Sequence, residues 1–418
     1  MSIDRLVVVG ASLAGLRAVE AARKAGFEGS ITLIGAETHL PYDRPPLSKE
    51  FLKPLEDGSL PETPTFRTED IFADELKVEL LLGNPATSLD TERKEVHVGD
   101  SAIPYDALVI ATGGHARTIP GTEDLDGVFC LRTLDDSIGI RDALDAGART
   151  VVIGAGFIGS ELAAGATTRG VDVTIVEALP TPLVRAIGTD MGSAIAALHE
   201  RNGTTLLCGT GVKAIEGDGK VERVVLEDGT VIPADLVVVG IGVIPSVGWL
   251  EGSGLRIDNG IVCDEFLWSG IDGVYAAGDV ANWPNPMFGV RQRMENWTAA
   301  AEQGAAAARN AINPDAAKAY STVPYFWSDW YDVRIQFVGS TECDEVVLVD
   351  GDVDQDGRWV ALYRQGEQLV GALTVNGQSD IMKFRGLIMK KGTWSDGLEL
   401  AEKRKEIHRA KADAAAAV

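Results

Sequence analysis

Near its N-terminus the chain reads Leu6-Val-Val-Val-Gly-Ala-Ser-Leu-Ala-Gly15, an apolar run that leads into a glycine-rich turn and then an alanine-rich segment. The same order returns at Val151-Val-Ile-Gly-Ala-Gly-Phe-Ile-Gly159. Each stretch predicts a β-strand, a tight loop and a helix, an arrangement in which backbone amides and the positive end of the helix dipole face a pyrophosphate. The repetition predicts an α/β protein that holds two dinucleotides at once.

The composition argues against two classes of partner. A formal net charge of −24 on 418 residues makes the average surface repel phosphate backbones and anionic lipids, so we expect neither nucleic acid nor a membrane as a partner. The longest uncharged stretch, residues 236–250, is shorter than the roughly 18 apolar residues of a membrane helix. The four cysteines are far apart and lack zinc-binding spacing, which indicates no metal site and a cytoplasmic protein with reduced thiols.

The first loop departs from the usual dinucleotide fingerprint, because Ser12 stands where the second glycine is common. Serine is small enough for the backbone still to approach a pyrophosphate. Glu37 follows the next predicted strand and is our candidate for binding ribose hydroxyls, although it comes a little late in the chain. The residues expected to contact the pyrophosphate are Gly10, Ser12, Leu13, Ala14 and Gly15.

Two further stretches favour a flavin in this first site. The stretch Leu40-Pro-Tyr-Asp-Arg-Pro-Pro-Leu-Ser-Lys49 is stiffened by its prolines and brings the cations of Arg44 and Lys49 near the phosphate loop. Gly278-Asp279 offers a carboxylate to the ribityl or phosphate part of a second cofactor. We interpret the combination as an FAD site rather than as a plain proline-rich surface loop.

The second loop carries the full fingerprint, and Glu177 follows it at the end of the next predicted strand. A carboxylate there accepts hydrogen bonds from the adenosine ribose and repels a 2′-phosphate, so we expect NADH rather than NADPH. Arg185 is the objection, because its guanidinium could fold back toward a phosphate; the alternative is a solvent-exposed loop charge. The expected contacts in the loop are Gly154, Gly156, Phe157, Ile158 and Gly159.

Several motifs occur in order along the chain, and the ordered set is far more specific than any one of them. They are Gly10–Gly15, Arg44–Lys49, Ala111–Gly114, Gly154–Glu161, Val239–Gly242, Ala276–Asp279 and Phe326–Asp329. From Leu6 to about Gly392 the chain resembles the oxygenase-coupled NADH-dependent ferredoxin reductases, of the putidaredoxin reductase and biphenyl dioxygenase ferredoxin reductase type.

The resemblance implies particular roles for single residues. Glu161 would face the nicotinamide and pair with Lys49, which makes these two the candidate catalytic residues; the alternative for Glu161 is an ordinary acid that complements the helix dipole. Trp330 stands where the family usually has glutamine, which leaves its part in partner specificity or ring stacking open. The other implied cofactor contacts are Pro45, Thr112, Gly113, Arg132, Gly240, Gly242, Gly278, Asp279, Glu295, Trp297 and Trp327.

The implied fold class is α/β, with two Rossmann-like nucleotide-binding domains of the glutathione-reductase-like type and a C-terminal α+β domain. Residues 1–114 and 241–319 would form a discontinuous FAD-binding domain, residues 115–240 the NAD-binding domain, and residues 320–418 the C-terminal domain. The implied function is that of an FAD-dependent reductase, which passes electrons from NADH to a small iron–sulfur ferredoxin that supplies a cytochrome P450 or Rieske-type oxygenase.

The sequence also bears on related functions of flavoproteins. A disulfide reductase needs a redox-active cysteine beside the flavin, and residues 35–60 contain none. A rubredoxin reductase, or an NADH-binding flavoprotein of the apoptosis-inducing-factor-like type, stays open. A ferredoxin could dock on a basic patch made of Arg291, Arg293, Arg309 and the stretch 380–411, whose alternative is a set of solvated helix faces.

Overall fold

The computed structural model describes residues 3–53, 59, 61–355 and 357–416. The chain divides into two compact units, each assembled from separate stretches. Unit 1 consists of Met1–Asp43, Glu62–His115 and Val243–Thr322, and unit 2 of Arg44–Pro61, Ala116–Gly242 and Val323–Val418. The division into an FAD-binding, an NAD-binding and a C-terminal domain stays a prediction.

The helices are α1 Leu13–Lys24, α2 Leu134–Asp145, α3 Phe157–Thr168, α4 Val184–Ile187, α5 Thr189–Arg201, α6 Trp297–Ile312, α7 Gln378–Met389 and α8 Trp394–Ala416. The strands are β1 Arg5–Val9, β2 Ser30–Ile34, β3 Val78–Leu81, β4 Ala86–Asp90, β5 Glu95–Val98, β6 Ser101–Pro104, β7 Ala107–Ile110, β8 Gly114–Ala116, β9 Val128–Phe129, β10 Thr150–Ile153, β11 Val173–Glu177, β12 Thr205–Cys208, β13 Val212–Gly217, β14 Val221–Leu226, β15 Val231–Pro233, β16 Leu236–Val239, β17 Val243–Pro245, β18 Ile261–Val262, β19 Val274–Ala276, β20 Ala281–Asn285, β21 Val290–Arg293, β22 Tyr325–Trp330, β23 Val333–Gly339, β24 Glu345–Asp350, β25 Trp359–Gln365 and β26 Gln368–Val375. In the part of the chain that the structure describes, no helix combines the length and apolar character that crossing a membrane requires.

Unit 1 is built on a parallel sheet with the strand order β19-β7-β1-β2-β3. The strands β1 and β7 are almost wholly buried, which explains why they appear in the sequence as continuous apolar runs rather than alternating ones. Helix α1 packs closely against α6. Gly304 on α6 lies so near to Ala14 on α1 that a Cβ added to Gly304 would be 2.1 Å from the Ala14 carbonyl oxygen. The predicted strand, loop and helix are therefore confirmed.

Unit 2 contains a second parallel sheet, with the strand order β12-β11-β10-β16-β9. It also contains an antiparallel sheet, β22-β23-β26-β25-β24, followed in the chain by α7 and α8. The α/β class and the two Rossmann-like sheets are confirmed, and the antiparallel sheet followed by two helices agrees with the implied α+β character of the C-terminal residues.

One buried acid joins the last two helices of the chain. Asp380 on α7 is fully buried, and Arg358, Arg404 and His408 all contact its carboxylate at 2.5–2.9 Å. Burial raises the pKa of Asp380, but the hydrogen bonds from these three partners outweigh it and lower the pKa to about 2. Since Arg404 and His408 lie on α8, the cluster fastens that helix to α7.

We expect Asp380→Asn to lower the free energy of unfolding at pH 7 by about 3 kcal/mol, because it removes a fully buried counter-charge from the partly buried Arg358 and Arg404. Since the folded-state pKa is depressed, the carboxylate stabilises fully above its unfolded value of 3.8 and loses this effect as the pH falls toward 2. Urea unfolding of both proteins should therefore show a difference that is large at pH 7 and small near pH 2. Asp413→Asn, at an exposed position of α8, is the control; an equal difference at both pH values would contradict the prediction.

Candidate functional site

The first glycine loop lies between β1 and α1 in unit 1, and two of its glycines have no room for a side chain. Gly10 has φ +118°, and a Cβ there would lie 2.1 Å from the Ala111 carbonyl oxygen. A Cβ on Gly15 would lie 1.9 Å from the Gly10 carbonyl oxygen. Ser12 is the N-cap residue of α1, so the helix amides begin immediately after it. The loop therefore has the geometry that a pyrophosphate requires.

Two other predicted segments lie against this loop. Gly278, with φ +76°, is so close to the loop that its Cβ would meet the Ala14 side chain at 3.1 Å. The Gly278 amide donates to Gln303 Oε1 at 2.9 Å, which fixes the turn that carries Asp279. Gly10 contacts the turn after β7, where Thr112 Oγ1 donates to the Ser246 carbonyl oxygen at 3.0 Å and Gly113 has φ +63°. The structure thus brings the loop, Thr112–Gly113 and Gly278 together.

The remaining unit 1 candidates form local contacts of their own. Glu37 accepts a hydrogen bond from the Tyr42 hydroxyl at 2.6 Å. Trp297 is the first residue of α6, and its indole Nε1 donates to Asp43 Oδ1 at 2.8 Å. Glu295 pairs with Arg293 at 2.5 Å. Sequence reasoning gave no role to Asp43, although it stands inside the proline-rich motif that was singled out.

The second loop, in unit 2, repeats the packing of the first. Gly154 has φ +99°, and a Cβ there would lie 2.5 Å from the Gly240 carbonyl oxygen. A Cβ on Gly159 would lie 2.3 Å from the Gly154 carbonyl oxygen. Around Gly156, the N-cap residue of α3, the space is open instead. The backbone is closely packed at Gly154 and Gly159, whereas the space beside Gly156 is open. A phosphate could therefore approach the start of α3, which fits a dinucleotide site.

Glu177 is fastened to this second loop. Its Oε2 accepts from the Ala155 amide at 2.8 Å, and its Oε1 accepts from the Leu179 amide at 2.9 Å. These bonds hold the carboxylate beside the glycine loop, at the end of β11. Arg185 lies exposed on the short helix α4. Gly242, with φ +106°, follows Gly240 after β16.

A buried ion pair joins Glu161 on helix α3 to Lys49, which follows the short 3-10 helix Pro45–Ser48. Lys49 Nζ is 2.6 Å from Glu161 Oε2, and the two side chains are only 10% and 5% exposed. Ser48 donates to the same oxygen at 2.5 Å, and Ser328 donates to Oε1 at 2.5 Å. Glu161 is thus a buried acid surrounded by donors, unlike an exposed acid that only complements the helix dipole. The pairing implied by the resemblance is present.

The segment that carries Lys49 is held by arginines that sequence reasoning missed. Arg141 is buried and donates to the carbonyl oxygens of Phe51, Lys53 and Ser59 at 2.8–3.0 Å. Arg169 donates to the Leu52 carbonyl oxygen. Near the start of the segment, Arg44 donates to the Arg132 carbonyl oxygen, and the Pro45 carbonyl accepts from Lys49 Nζ at 3.3 Å. A buried arginine that binds carbonyls has no signature in a single sequence.

The contacts of Trp330 on β22 show whether it can stack on a bound ring or contact a partner protein. Trp330 is fully buried and stacks on His199, with ring centroids 4.7 Å apart. It is therefore unavailable to stack on a bound ring or to contact a partner protein. Phe157 packs on Phe326 with centroids 4.7 Å apart, and Trp327 stacks on Tyr325 at 5.8 Å.

Part of the basic patch is engaged in internal contacts. Arg291 donates to the carbonyl oxygens of Cys263 and Asn282 at 2.8 and 2.7 Å. Arg293 donates to the Asp279 carbonyl oxygen at 3.0 Å and pairs with Glu295. These two arginines serve the fold, so they are poor candidates for a docking surface.

Two glycine loops of this geometry, each on its own parallel sheet, are typical of oxidoreductases that bind two dinucleotide cofactors. Residues 4–304 match the family model described as pyridine nucleotide-disulphide oxidoreductase, and residues 325–410 match the model described as reductase C-terminal. The chain belongs to the pyridine nucleotide-disulphide oxidoreductase family, in the group of the ferredoxin reductases of oxygenase systems.

The chain is 36% identical to rhodocoxin reductase of Rhodococcus erythropolis over 386 residues, which are 92% of this chain and 89% of the relative. It is 36% identical to the ferredoxin–NAD(+) reductase component of the anthranilate 1,2-dioxygenase system of Burkholderia cepacia, over 96% of this chain and 98% of the relative. Its fold is similar to that of the covalent putidaredoxin reductase–putidaredoxin complex, with a TM-score of 0.87, 33% identity and coverage of 94% of each chain. The resemblance found in the sequence is confirmed.

Proposed function

We propose that the protein is an FAD-dependent ferredoxin reductase, which takes electrons from NADH and passes them to a small iron–sulfur ferredoxin that supplies an oxygenase. The carrying observation is the buried pair between Lys49 and Glu161, in which Glu161 lies on the helix that begins at the second glycine loop. Bound FAD supplies the exchange between two-electron and one-electron chemistry. The similarity to the reductase component of the anthranilate 1,2-dioxygenase system and to putidaredoxin reductase in its complex with putidaredoxin supports this assignment.

In this proposal the chain binds and orients, and no protein group has to act as a base. The loop from Gly10 to Gly15 and the turn at Gly278–Asp279 would hold FAD, and the loop from Gly154 to Gly159 would hold NADH. Glu177 would accept hydrogen bonds from the adenosine ribose. Lys49 and Glu161 would orient the reacting rings. Every other cofactor contact predicted from the sequence likewise stays a proposal.

The cysteines favour this chemistry over disulfide reduction. Cys130, Cys208, Cys263 and Cys343 are all free thiols. Burial raises the pKa of Cys263 to about 12, so it is not a reactive thiolate. Free thiols and an acidic surface also support a cytoplasmic location as part of the proposal.

The test is anaerobic stopped-flow reduction of the purified holoprotein by NADH and, separately, NADPH. We expect flavin bleaching by NADH to be at least tenfold faster, and Glu177→Gln to narrow that preference about tenfold, because the variant no longer repels a 2′-phosphate. Glu200→Gln, at an exposed position of α5, is the control. A protein that NADH does not reduce would overturn the function. Rapid reduction with negligible transfer to ferredoxins would favour a flavoprotein of the apoptosis-inducing-factor-like type.

The exposed lysines after α7 test the docking patch. Lys390 and Lys391 follow Met389 and are exposed. Reversing both to glutamate should raise the KM for putidaredoxin, used as the test acceptor, several-fold at low ionic strength and less at high salt, because screening weakens the attraction. The double variant Lys213→Glu/Lys220→Glu makes the same charge change elsewhere in unit 2. Equal KM values for the two double variants would reject the patch.

A further inference from the structure

One donor to the Glu161 carboxylate comes from a distant part of the chain. Ser328 lies on β22 and is fully buried, and its Oγ is 2.5 Å from Glu161 Oε1. The other two donors, Ser48 Oγ and Lys49 Nζ, both approach Oε2. The two oxygens of the carboxylate therefore have different partners, and Ser328 alone among the donors recorded for Glu161 in the described residues binds Oε1.

The direction of the hydrogen bond from Ser328 is fixed by its neighbour. Trp330 Nε1 lies 2.9 Å from Ser328 Oγ. An indole N–H can only donate, so Ser328 must accept from Trp330 and has one hydroxyl proton left. That proton is directed to Glu161, because a carboxylate without its proton only accepts. The result is a chain of donors from Trp330 through Ser328 to Glu161.

Trp330 is itself held by a neutral, hydrogen-bonded histidine. His199 stacks on its ring, and the two imidazole nitrogens lie 3.0 Å from Ser160 Oγ and 2.9 Å from the Tyr331 hydroxyl. Burial lowers the pKa of His199 to about 4, so the imidazole is uncharged near neutral pH. The support for Trp330 therefore adds no competing charge beside Glu161.

We propose that Ser328 and Trp330 are positioning residues for the Lys49–Glu161 pair. They hold Oε1 in place, so that Oε2 presents one defined direction to the Lys49 ammonium. The antiparallel sheet that contains β22 thus sets the geometry of a pair whose acid lies on α3. This inference rests on the proposed function, because its expected consequence is slower flavin reduction by NADH.

The first test compares Ser328→Ala with Ser269→Ala, a buried serine of unit 1 whose hydroxyl donates to the Val274 carbonyl oxygen. We expect Ser328→Ala to lower the rate constant of flavin reduction at saturating NADH about tenfold, the effect of losing one charge-assisted hydrogen bond, with the NADH Kd changed less than twofold. Trp330→Phe keeps an aromatic ring and the serine but removes the indole N–H donor, so a drop of about threefold is expected. Rates equal to that of Ser269→Ala in both variants would overturn the proposal.

A second measurement does not depend on turnover. In urea unfolding, Ser328→Ala should lower the midpoint in the wild-type background and have little effect in Glu161→Gln, since the bond it removes is already weakened there. Additive shifts in the double variant would contradict a contact that acts through Glu161. If wild-type holoprotein is not reduced by NADH at all, the proposed function fails, whereas this unfolding cycle still decides the link between Ser328 and Glu161.

Discussion

Replacing Lys49 by methionine should slow flavin reduction at saturating NADH by about 100-fold or more and should also destabilise the fold. Lys49 and Glu161 are nearly buried and 2.6 Å apart. Removing one partner of such a pair leaves an uncompensated buried charge, which costs about 3–5 kcal/mol. Stopped-flow reduction and urea unfolding of the same preparation measure the two effects.

A second variant separates the two effects. In Lys49→Met/Glu161→Gln the unpaired charge is gone, so stability should recover toward the wild-type value while the rate stays low. Lys53→Met is the control, because Lys53 is exposed on the same segment and should leave both quantities unchanged. If the double variant regained the rate together with the stability, the pair would have only a structural role.

Replacing one glycine by alanine in each glycine loop should abolish or weaken the binding of a different cofactor in each case. A Cβ at Gly15 would lie 1.9 Å from the Gly10 carbonyl oxygen, and one at Gly159 would lie 2.3 Å from the Gly154 carbonyl oxygen. Neither backbone can yield without moving its strand, loop and helix. We therefore expect Gly15→Ala to purify without flavin colour, and Gly159→Ala to stay yellow with an NADH Kd raised about 100-fold or more.

The matched control lies on the same helix as the second loop. Gly165 is inside α3, and a Cβ there would meet nothing within 4 Å. Gly165→Ala should retain flavin and NADH binding and gain up to about 1 kcal/mol of helix stability. Absorption spectra and calorimetric titration with NAD+ measure the outcome. Loss of flavin from Gly159→Ala, or its retention in Gly15→Ala, would show that the two loops are assigned to the wrong cofactors.

Sequence reasoning worked wherever the signal was local. The parallel strands, the two glycine loops and the helices α1 and α3 that follow them each depend on a short stretch with its own periodicity. The Lys49–Glu161 pairing came from the resemblance rather than from any spacing, because the two residues are far apart in the chain.

The questions that the sequence left open are those that depend on side-chain geometry. Counting charges in the stretch 380–411 left a basic docking patch and solvated helix faces as alternatives, and in the structure Arg404 and His408 both pair with Asp380. The departure from the family's glutamine left the part of Trp330 in partner specificity or ring stacking open, and the structure shows a core residue that donates to Ser328. Composition shows which charged residues the chain contains, but it cannot show which of their side chains form ion pairs with one another.

The lysine of the buried pair belongs, by its contacts, to a different unit from the residues that precede it in the chain. Unit 1 ends a stretch at Asp43 and resumes at Glu62, while the intervening Arg44–Pro61 is part of unit 2. An expression plasmid that encoded only residues 116–242 would therefore yield the second glycine loop without its lysine. Recombination between homologous genes would face the same difficulty, because a single exchanged stretch cannot carry both the second glycine loop and the separate lysine segment of unit 2 without also replacing part of unit 1.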